Sequence, residues 1–246
     1  MQEWKIAYVN QREIPVLISD EKEALLAAKA AGRAIVGLWR PGQAMDEISA
    51  AKYVVENPED VTEDYLERVA RRHLGYPWDI CETERLLIRE MFADDFDEVW
   101  NNRIGCGFGS IEELEAYTKK QYTFYEFGFW ALVEKNSGEL VGMAGLTLPG
   151  TSSEEEDCGE QLVHYALSVD RCSDEADGET LEIGYHVFPN YRRRGYAKEA
   201  CQAIIQYGIA ELGVSKIVAR IAKGNIKSKN LAGKLGFIEK DRIEVL

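Results

Sequence analysis

The sequence is short of the residues that staple small or exported folds. It has five cysteines and six prolines in 246 residues. The cysteines, Cys81, Cys106, Cys158, Cys172 and Cys201, are odd in number and show no Cys-x-x-Cys or Cys/His ligand spacing. A disulfide framework or a structural zinc site is therefore excluded as an organising principle, and a reducing cytoplasm is the expected setting. The three histidines, His73, His164 and His186, form no metal-spaced pair, so no metal is expected. No run approaches the roughly 18 apolar residues of a membrane span. Met1 to Asn10 lacks the basic-then-apolar pattern of a signal peptide. We expect a cytoplasmic protein that engages no membrane.

Positive charge is also scarce. Lys and Arg number 29 against 43 Asp and Glu, a net charge of −14. That balance argues against general nucleic-acid binding, which needs a broad cationic surface to displace counterions. The deficit is uneven. It is −4 over 1–80, −7 over 81–148 and −9 over 149–180, but the chain turns to +6 over 181–246. A basic block inside an acidic protein points to an anion site in 181–246, and the preceding stretch to an acidic patch. A hydrophobic fraction of 46% is ordinary for a globular protein and sufficient for a sizeable core.

The length suits one large domain or two small ones. Residues 1–80 read as strands alternating with helices. The run Pro15–Asp20 is followed by a helix over Glu21–Ala31, which Ser19 or Asp20 can cap. Apolar runs follow at Ala34–Trp39 and Ala51–Val55, then a helix over Thr62–Leu74 with Thr62 as cap. This β-α-β pattern predicts a small parallel sheet. A piece of that length buries a poor core alone, so it is expected to pack on the rest of the chain or on a second subunit, as in a homodimer.

The pattern restarts at Cys81. Strands are expected at Arg85–Arg89, Trp130–Glu134, Leu140–Leu148, Gln161–Val169, Leu181–Val187, Lys216–Ile221 and from Phe237. Helices are expected at Asp94–Trp100, Ile111–Phe127, Tyr196–Leu212 and Ser228–Leu235. Asn136-Ser137-Gly138-Glu139 supplies the turn of a hairpin. Pro149–Glu160 and Arg171–Glu179 read as acidic loops. The fold class is α/β (α+β), with residues 1–80 and 81–246 as two domains.

The informative stretch is Leu181–Val187, then Phe188-Pro189-Asn190-Tyr191, then Arg192-Arg193-Arg194-Gly195-Tyr196-Ala197. It sits at a strand-to-helix junction, where free N–H groups meet the positive end of the helix dipole. Gly195 allows close approach of a ligand to the backbone, Ala197 keeps the next position small, and three arginines add charge for phosphates. The Gly-Lys-Ser/Thr ending of a P-loop and the glycine spacing of a dinucleotide fingerprint are both absent.

The whole stretch resembles the central motif of the GNAT acetyltransferases, Gln/Arg-x-x-Gly-x-Gly/Ala. Asn225-x-x-Ser228-x-x-Leu231-x-x-Lys234-Leu235-Gly236-Phe237 resembles the family's second motif. Thr83-Glu84-Arg85-Leu86-Leu87-Ile88-Arg89 and Glu182-Ile183-Gly184-Tyr185 resemble its ribosomal-protein N-terminal acetyltransferase branch. The resemblance covers 82–246. It implies a mixed sheet splayed between two central strands, with acetyl-CoA in the split. The pyrophosphate would rest on the loop of Arg192, Arg193, Arg194, Gly195, Tyr196 and Ala197. Tyr185, His186 and Val187 would line the pantetheine arm, with Asn225 and Ser228 near the thioester. An amine would attack directly in a ternary complex, without a metal or a covalent enzyme intermediate.

An aliphatic amine is mostly protonated at neutral pH, so it must lose a proton before attack. Glu182 is the candidate base, with a structural carboxylate paired to a nearby arginine as the alternative. Many family members protonate the leaving thiolate from a tyrosine seven residues after the motif asparagine. That position is Ala232 here, which shifts the role to Ser228, to another tyrosine or to no residue. Ser228 also reads as a helix N-cap. The acidic segment 149–180 favours a cationic acceptor: a polyamine, an aminoglycoside or a basic peptide terminus. An acyl-CoA-binding regulatory module and a scaffold serving only assembly are the competing readings. Ile18-Ser19-Asp20, the helix after it and Ala30-Ala31-Gly32-Arg33-Ala34-Ile35-Val36-Gly37 resemble the later half of a haloacid-dehalogenase-type Rossmann core without its Asp-x-Asp nucleophile motif, so no phosphatase activity is expected.

Overall fold

The structure, a computed structural model, describes residues 1–102, 108–150, 162–168 and 179–240. Most of the two stretches read as acidic loops, and the glycine-flanked Cys106, lie outside the described residues. The chain forms two units, Met1–Trp78 and Asp79–Leu246.

The first unit contains β1 (Gln2–Val9), β2 (Arg12–Ser19), α1 (Lys22–Ala30), β3 (Ala34–Leu38), β4 (Tyr53–Val55) and α2 (Glu63–His73). The sheet order is β1-β2-β3-β4. The β2–β3 and β3–β4 pairs are parallel, as the β-α-β pattern predicts. The expectation of a purely parallel sheet is corrected by β1, which forms an antiparallel hairpin with β2. Its turn residues, Asn10 and Gln11, both have positive φ (49° and 63°), the backbone that a two-residue hairpin demands.

Alternation along the strands gives this sheet two cores. Val16, Ile18, Val36 and Leu38 meet Leu66, Val69 and Ala70 of α2 on one face. Leu17 and Ile35 meet Leu25 and Ala28 of α1, with Ile48 and Ala51, on the other. Both cores are built from residues of this unit. Thr62 caps α2 by accepting the Tyr65 N–H, and Gly75 follows the helix at φ 78°. The predicted cap of α1 is corrected. Ser19 Oγ accepts the Glu21 N–H, Glu21 holds the cap position, and the helix starts at Lys22.

The second unit contains β5 (Asp79–Glu82), β6 (Leu86–Glu90), α3 (Phe96–Asn102), α4 (Ile111–Phe124), β7 (Phe129–Glu134), β8 (Leu140–Thr147), β9 (Leu162–Ser168), β10 (Thr180–Val187), α5 (Tyr196–Ala210), β11 (Lys216–Ala222), α6 (Ile226–Lys234) and β12 (Ile238–Lys240). Its sheet has the order β12-β9-β11-β10-β8-β7-β6-β5. α3 and α4 cover one face, where Val99 and Leu114 pack on Ala131, Val133, Met143 and Phe188. α5 covers the other, with Tyr207 edge-on to the buried Trp130 at 5.5 Å.

One relation in this sheet positions the candidate site. β10 and β11 are parallel, and they pair only over Thr180–Glu182 against Lys216–Val218. Beyond that point each strand stays with its other neighbour. β10 remains paired to β8 as far as Val187, and β11 to β9 as far as Ala222. The sheet is mixed and splayed, and the backbone edges of Ile183–Val187 and Ala219–Ala222 face each other across the opening.

No described helix is long and apolar enough to cross a membrane. No group of three or more His, Cys, Asp or Glu among the described residues is arranged to hold a metal ion.

Candidate active site

At the end of β10 the chain makes one 3-10 turn over Pro189–Tyr191 and must then enter α5. It does so through two left-handed residues, Arg193 at φ 63° and Gly195 at φ 89°. Glycine takes that conformation freely, whereas an arginine there is strained. Alternation of backbone hand gathers successive N–H groups into a concave anion nest. Gly195 sits at the N-cap of α5 and offers no side-chain acceptor. The first helical bond runs from the Glu199 N–H to the Gly195 carbonyl at 3.1 Å. The N–H groups of Tyr196, Ala197 and Lys198 have no acceptor among the described residues. Free donors, nest and helix dipole converge on one point.

The three arginines divide. Arg192 Nε donates to the Val187 carbonyl at 2.9 Å, and Arg194 Nη2 to the Asn190 carbonyl at 3.1 Å. Arg194 also lies over the Tyr191 ring, 5.4 Å from its centroid. Arg193 is exposed and makes no such contact among the described residues, so it is the member of the trio free to reach an anion.

A fourth arginine holds the loop. Arg85 donates from Nε and Nη2 to Glu199 Oε2, at 2.8 and 2.5 Å. It also donates from Nη1 to the Arg194 carbonyl at 2.8 Å. Its guanidinium lies 4.7 Å from the centroid of the buried Tyr196 ring. Glu199 Oε1 accepts from Thr83 Oγ1 and the Arg85 N–H. Burial pushes the Glu199 carboxyl upward, but the hydrogen bonds from Thr83 and Arg85 and the guanidinium charge outweigh it, holding the group below the usual carboxylate range. Sequence reading had assigned Arg85 only to the opening strand.

Glu182 stands at the last paired position before the sheet opens. It is 6% exposed. Arg220 Nε, from β11, donates to both its oxygens at 3.0 and 3.1 Å, and the Gly150 N–H donates to Oε2 at 3.3 Å. The pair clasps β10 to β11 where they part. Arg220 was missed by sequence reasoning, although a cation in the middle of the otherwise apolar run 217–222 is itself a signal that a buried carboxylate lies opposite.

Past the clasp, side chains of β10 alternate. His186 faces α3 and shares a 3.2 Å hydrogen bond with the Asn102 carbonyl. Burial and then the Arg192 charge push its imidazole below the ordinary range, against that hydrogen bond. Tyr185 faces the other way. Its hydroxyl is buried beside Ser228 and lacks a partner in hydrogen-bond geometry. Burial pushes this phenol up to about 12. Val187 is half-buried at the end of the strand, its carbonyl taken by Arg192.

On the far side of the opening, Asn225 is the N-cap of α6, its Oδ1 accepting the Ser228 N–H at 3.1 Å. The reading of Ser228 as the cap is corrected. The helix begins at Ile226, and Ser228 is its third residue, with a hydroxyl not used for capping. Ala232 is buried on α6.

The family model described as the acetyltransferase (GNAT) domain matches residues 85–238. The uncharacterized N-acetyltransferase YnaD of Bacillus subtilis (strain 168) is 31% identical over 155 residues, covering 63% of this chain and 80% of its own. The uncharacterized N-acetyltransferase YoaA of the same organism is 25% identical over 170 residues, covering 64% and 82%. Among solved structures, an acetyltransferase from Agrobacterium tumefaciens str. C58 aligns with a TM-score of 0.46 at 17% identity, covering 67% of this chain and 86% of its own.

Proposed function

The chain belongs to the GNAT acetyltransferase family, and from that premise we propose that its second unit moves an acetyl group from acetyl-CoA to a primary amine by direct attack in a ternary complex. The observation that carries this reading is the parting of β10 and β11 after three residue pairs, with the N–H nest of Arg193 to Ala197 beside the end of β10. In the proposal the nest and the α5 terminus take the pyrophosphate, and Arg193 adds an exposed charge. The free edge of Ile183–Val187 hydrogen-bonds the amides of the pantetheine arm. Asn225 and Ser228 border the thioester.

Glu182 enters as the group that draws the proton from the amine. A carboxylate offers about four acceptor sites, and Arg220 and Gly150 use three of them. The remaining one serves a water-mediated transfer, and the clasp keeps the carboxylate oriented.

The acceptor we propose is cationic, from the −9 charge of residues 149–180. Gly150, at the start of that segment, bonds Glu182 directly. Thr83–Arg89 and Glu182–Tyr185 support the ribosomal-protein N-terminal acetyltransferase branch, which sets basic peptide termini beside small polyamines. The first unit has no assigned reaction. Its β2–α1–β3 crossover supports the partial Rossmann likeness and no more.

The test is calorimetry with CoA, followed by thiol release from acetyl-CoA against a panel of amines and peptides. One CoA site per chain and amine-dependent release are expected. Absence of CoA binding overturns the proposal.

A further inference from the structure

We propose that β1 is a docking strand for a second copy of this chain, and that two first units join edge to edge into one continuous sheet. The proposal uses no residue of the second unit and is independent of the acetyl-CoA reading.

β1 lies at one edge of its sheet, with β2 as its only strand neighbour among the described residues. Its register with β2 closes at Val9–Arg12 across a two-residue turn, which makes that pair hydrogen-bonded. The other end agrees, since the Met1 carbonyl accepts the Asp20 N–H at 3.4 Å. Hydrogen-bonded pairs alternate along an antiparallel ladder. The odd-numbered residues of β1 therefore bond to β2, and the N–H and C=O groups of Trp4, Ile6 and Tyr8 point to the open edge. The side chains of the same three residues share one face and are 52%, 43% and 63% exposed. Native edge strands are guarded by a charge, a proline or a bulge. β1 has neither proline nor bulge. Its charges, Glu3 and Lys5, lie on the opposite face, where Lys5 Nζ donates to the Val61 carbonyl at 3.4 Å.

The occupant is a second copy because β1 is complementary to itself. A two-fold axis through Ile6, perpendicular to the sheet, runs the two strands antiparallel and keeps their faces aligned. Ile6 then meets the partner's Ile6, and Trp4 meets the partner's Tyr8 on either side of the axis. All of these pairs are hydrogen-bonded and apolar. On the other face, the partner's Glu3 falls beside Val9, whose neighbour on β2 is Arg12. Opposite charges thus flank Val9 in both copies. The adjacent registers are worse. An axis at Lys5 sets that ammonium against itself, and an axis at Ala7 sets Trp4 against Asn10. Each β1 has one free edge, so the pairing closes at two copies.

Two half-exposed aromatic rings and an isoleucine offer each copy on the order of 300 Å² of apolar surface. A contiguous patch of that size marks an interaction site, yet the pair stays at the small end of specific interfaces, below about 1,200 Å². Residues 1–80 hold only −4 of the net −14, so repulsion between two first units is small. The dimer is reversible.

The experiment is sedimentation velocity of the full chain from micromolar to submillimolar concentration. Wild type should pass reversibly from monomer to dimer. Ile6→Lys sets like charges face to face on the axis and should raise the dimer Kd about tenfold. Trp4→Glu/Tyr8→Glu and Trp4→Lys/Tyr8→Glu lose the same apolar rings, but the first opposes like charges and the second opposite ones. The second should dimerise about tenfold more tightly, and equal Kd values overturn the proposal. A monomer at every concentration, a dimer indifferent to Ile6→Lys, or growth beyond two copies also overturns it. Should Ile6→Lys fail to fold by circular dichroism, Arg12→Glu carries the test. It should weaken the dimer several-fold, and Glu3→Arg/Arg12→Glu should restore it. A loss that the second substitution does not rescue overturns the proposal.

Discussion

Arg85 and Glu199 are 114 residues apart in the sequence, yet one guanidinium grips the carboxylate through Nε and Nη2 and the Arg194 carbonyl through Nη1. The opening strand of the second unit thereby fixes the loop that begins α5. The loop that carries the nest is held by a cation that donates from all three of its nitrogens.

Loosening that grip should weaken CoA binding without removing any group that touches the cofactor. Arg85→Met and Glu199→Gln should each raise the CoA Kd roughly tenfold, and the double variant should be no worse than either single one, because both remove the same support. Glu199 is depressed in the folded state, so its contribution to stability is present above the unfolded value near 4.5 and is lost as pH falls through the folded one. Chemical denaturation should show the wild type losing stability below about pH 4.5 more steeply than Glu199→Gln.

Gly195 and Arg193 should separate backbone from side-chain recognition. A Cβ on Gly195 would be strained at φ 89° and would stand 3.3 Å from Arg85 Nη2. Gly195→Val should abolish CoA binding by calorimetry while circular dichroism stays native. Arg193→Ala removes one exposed, screened charge, worth roughly 0.5–1 kcal/mol, and should cost two- to fivefold, more at low salt. Arg192→Ala and Arg194→Ala should act through loop geometry and show little salt dependence.

Glu182 can be tested as clasp and as proton acceptor separately. Removing one member of a buried ion pair costs about 3–5 kcal/mol, whereas removing both is far milder. Urea unfolding should therefore find Glu182→Leu strongly destabilised and Glu182→Leu/Arg220→Met much closer to wild type. If Glu182 also moves the amine proton, the double variant stays inactive when folded. Recovery of turnover with stability would leave it a structural carboxylate.

Acceptor charge gives a fourth expectation. Replacing Glu154, Glu155, Glu156 and Asp157 with neutral residues should raise the KM of cationic amines and flatten its salt dependence, leaving the CoA Kd unchanged. Unaltered acceptor kinetics would remove the charge argument.

What was legible in the sequence was local. The Thr62 cap, the Asn136–Glu139 hairpin and the strand–loop–helix of Leu181 to Ala210 follow from neighbours a few residues apart, and the structure has them. β1 was missed because Trp4, Ile6 and Tyr8 are exposed while Ala7 and Val9 are buried. Both faces look apolar, so the alternation that marks a strand is blurred. Its turn, Asn10-Gln11, lacks the glycine that usually announces one. Arg85–Glu199, Glu182–Arg220 and Tyr185–Ser228 were invisible for another reason: each joins residues 38 or more positions apart, and strand order alone decides that they meet.

The most direct test of the central claim is a stoichiometric one. The protein is incubated with acetyl-CoA and a mixture of polyamines and basic peptides, and free thiol is counted alongside acetylated amine by mass spectrometry. The account predicts one thiol for each acetyl group found on amine nitrogen, with no acetylated enzyme. Thiol release that proceeds equally without amines, or an acetyl group retained on the protein, would contradict it.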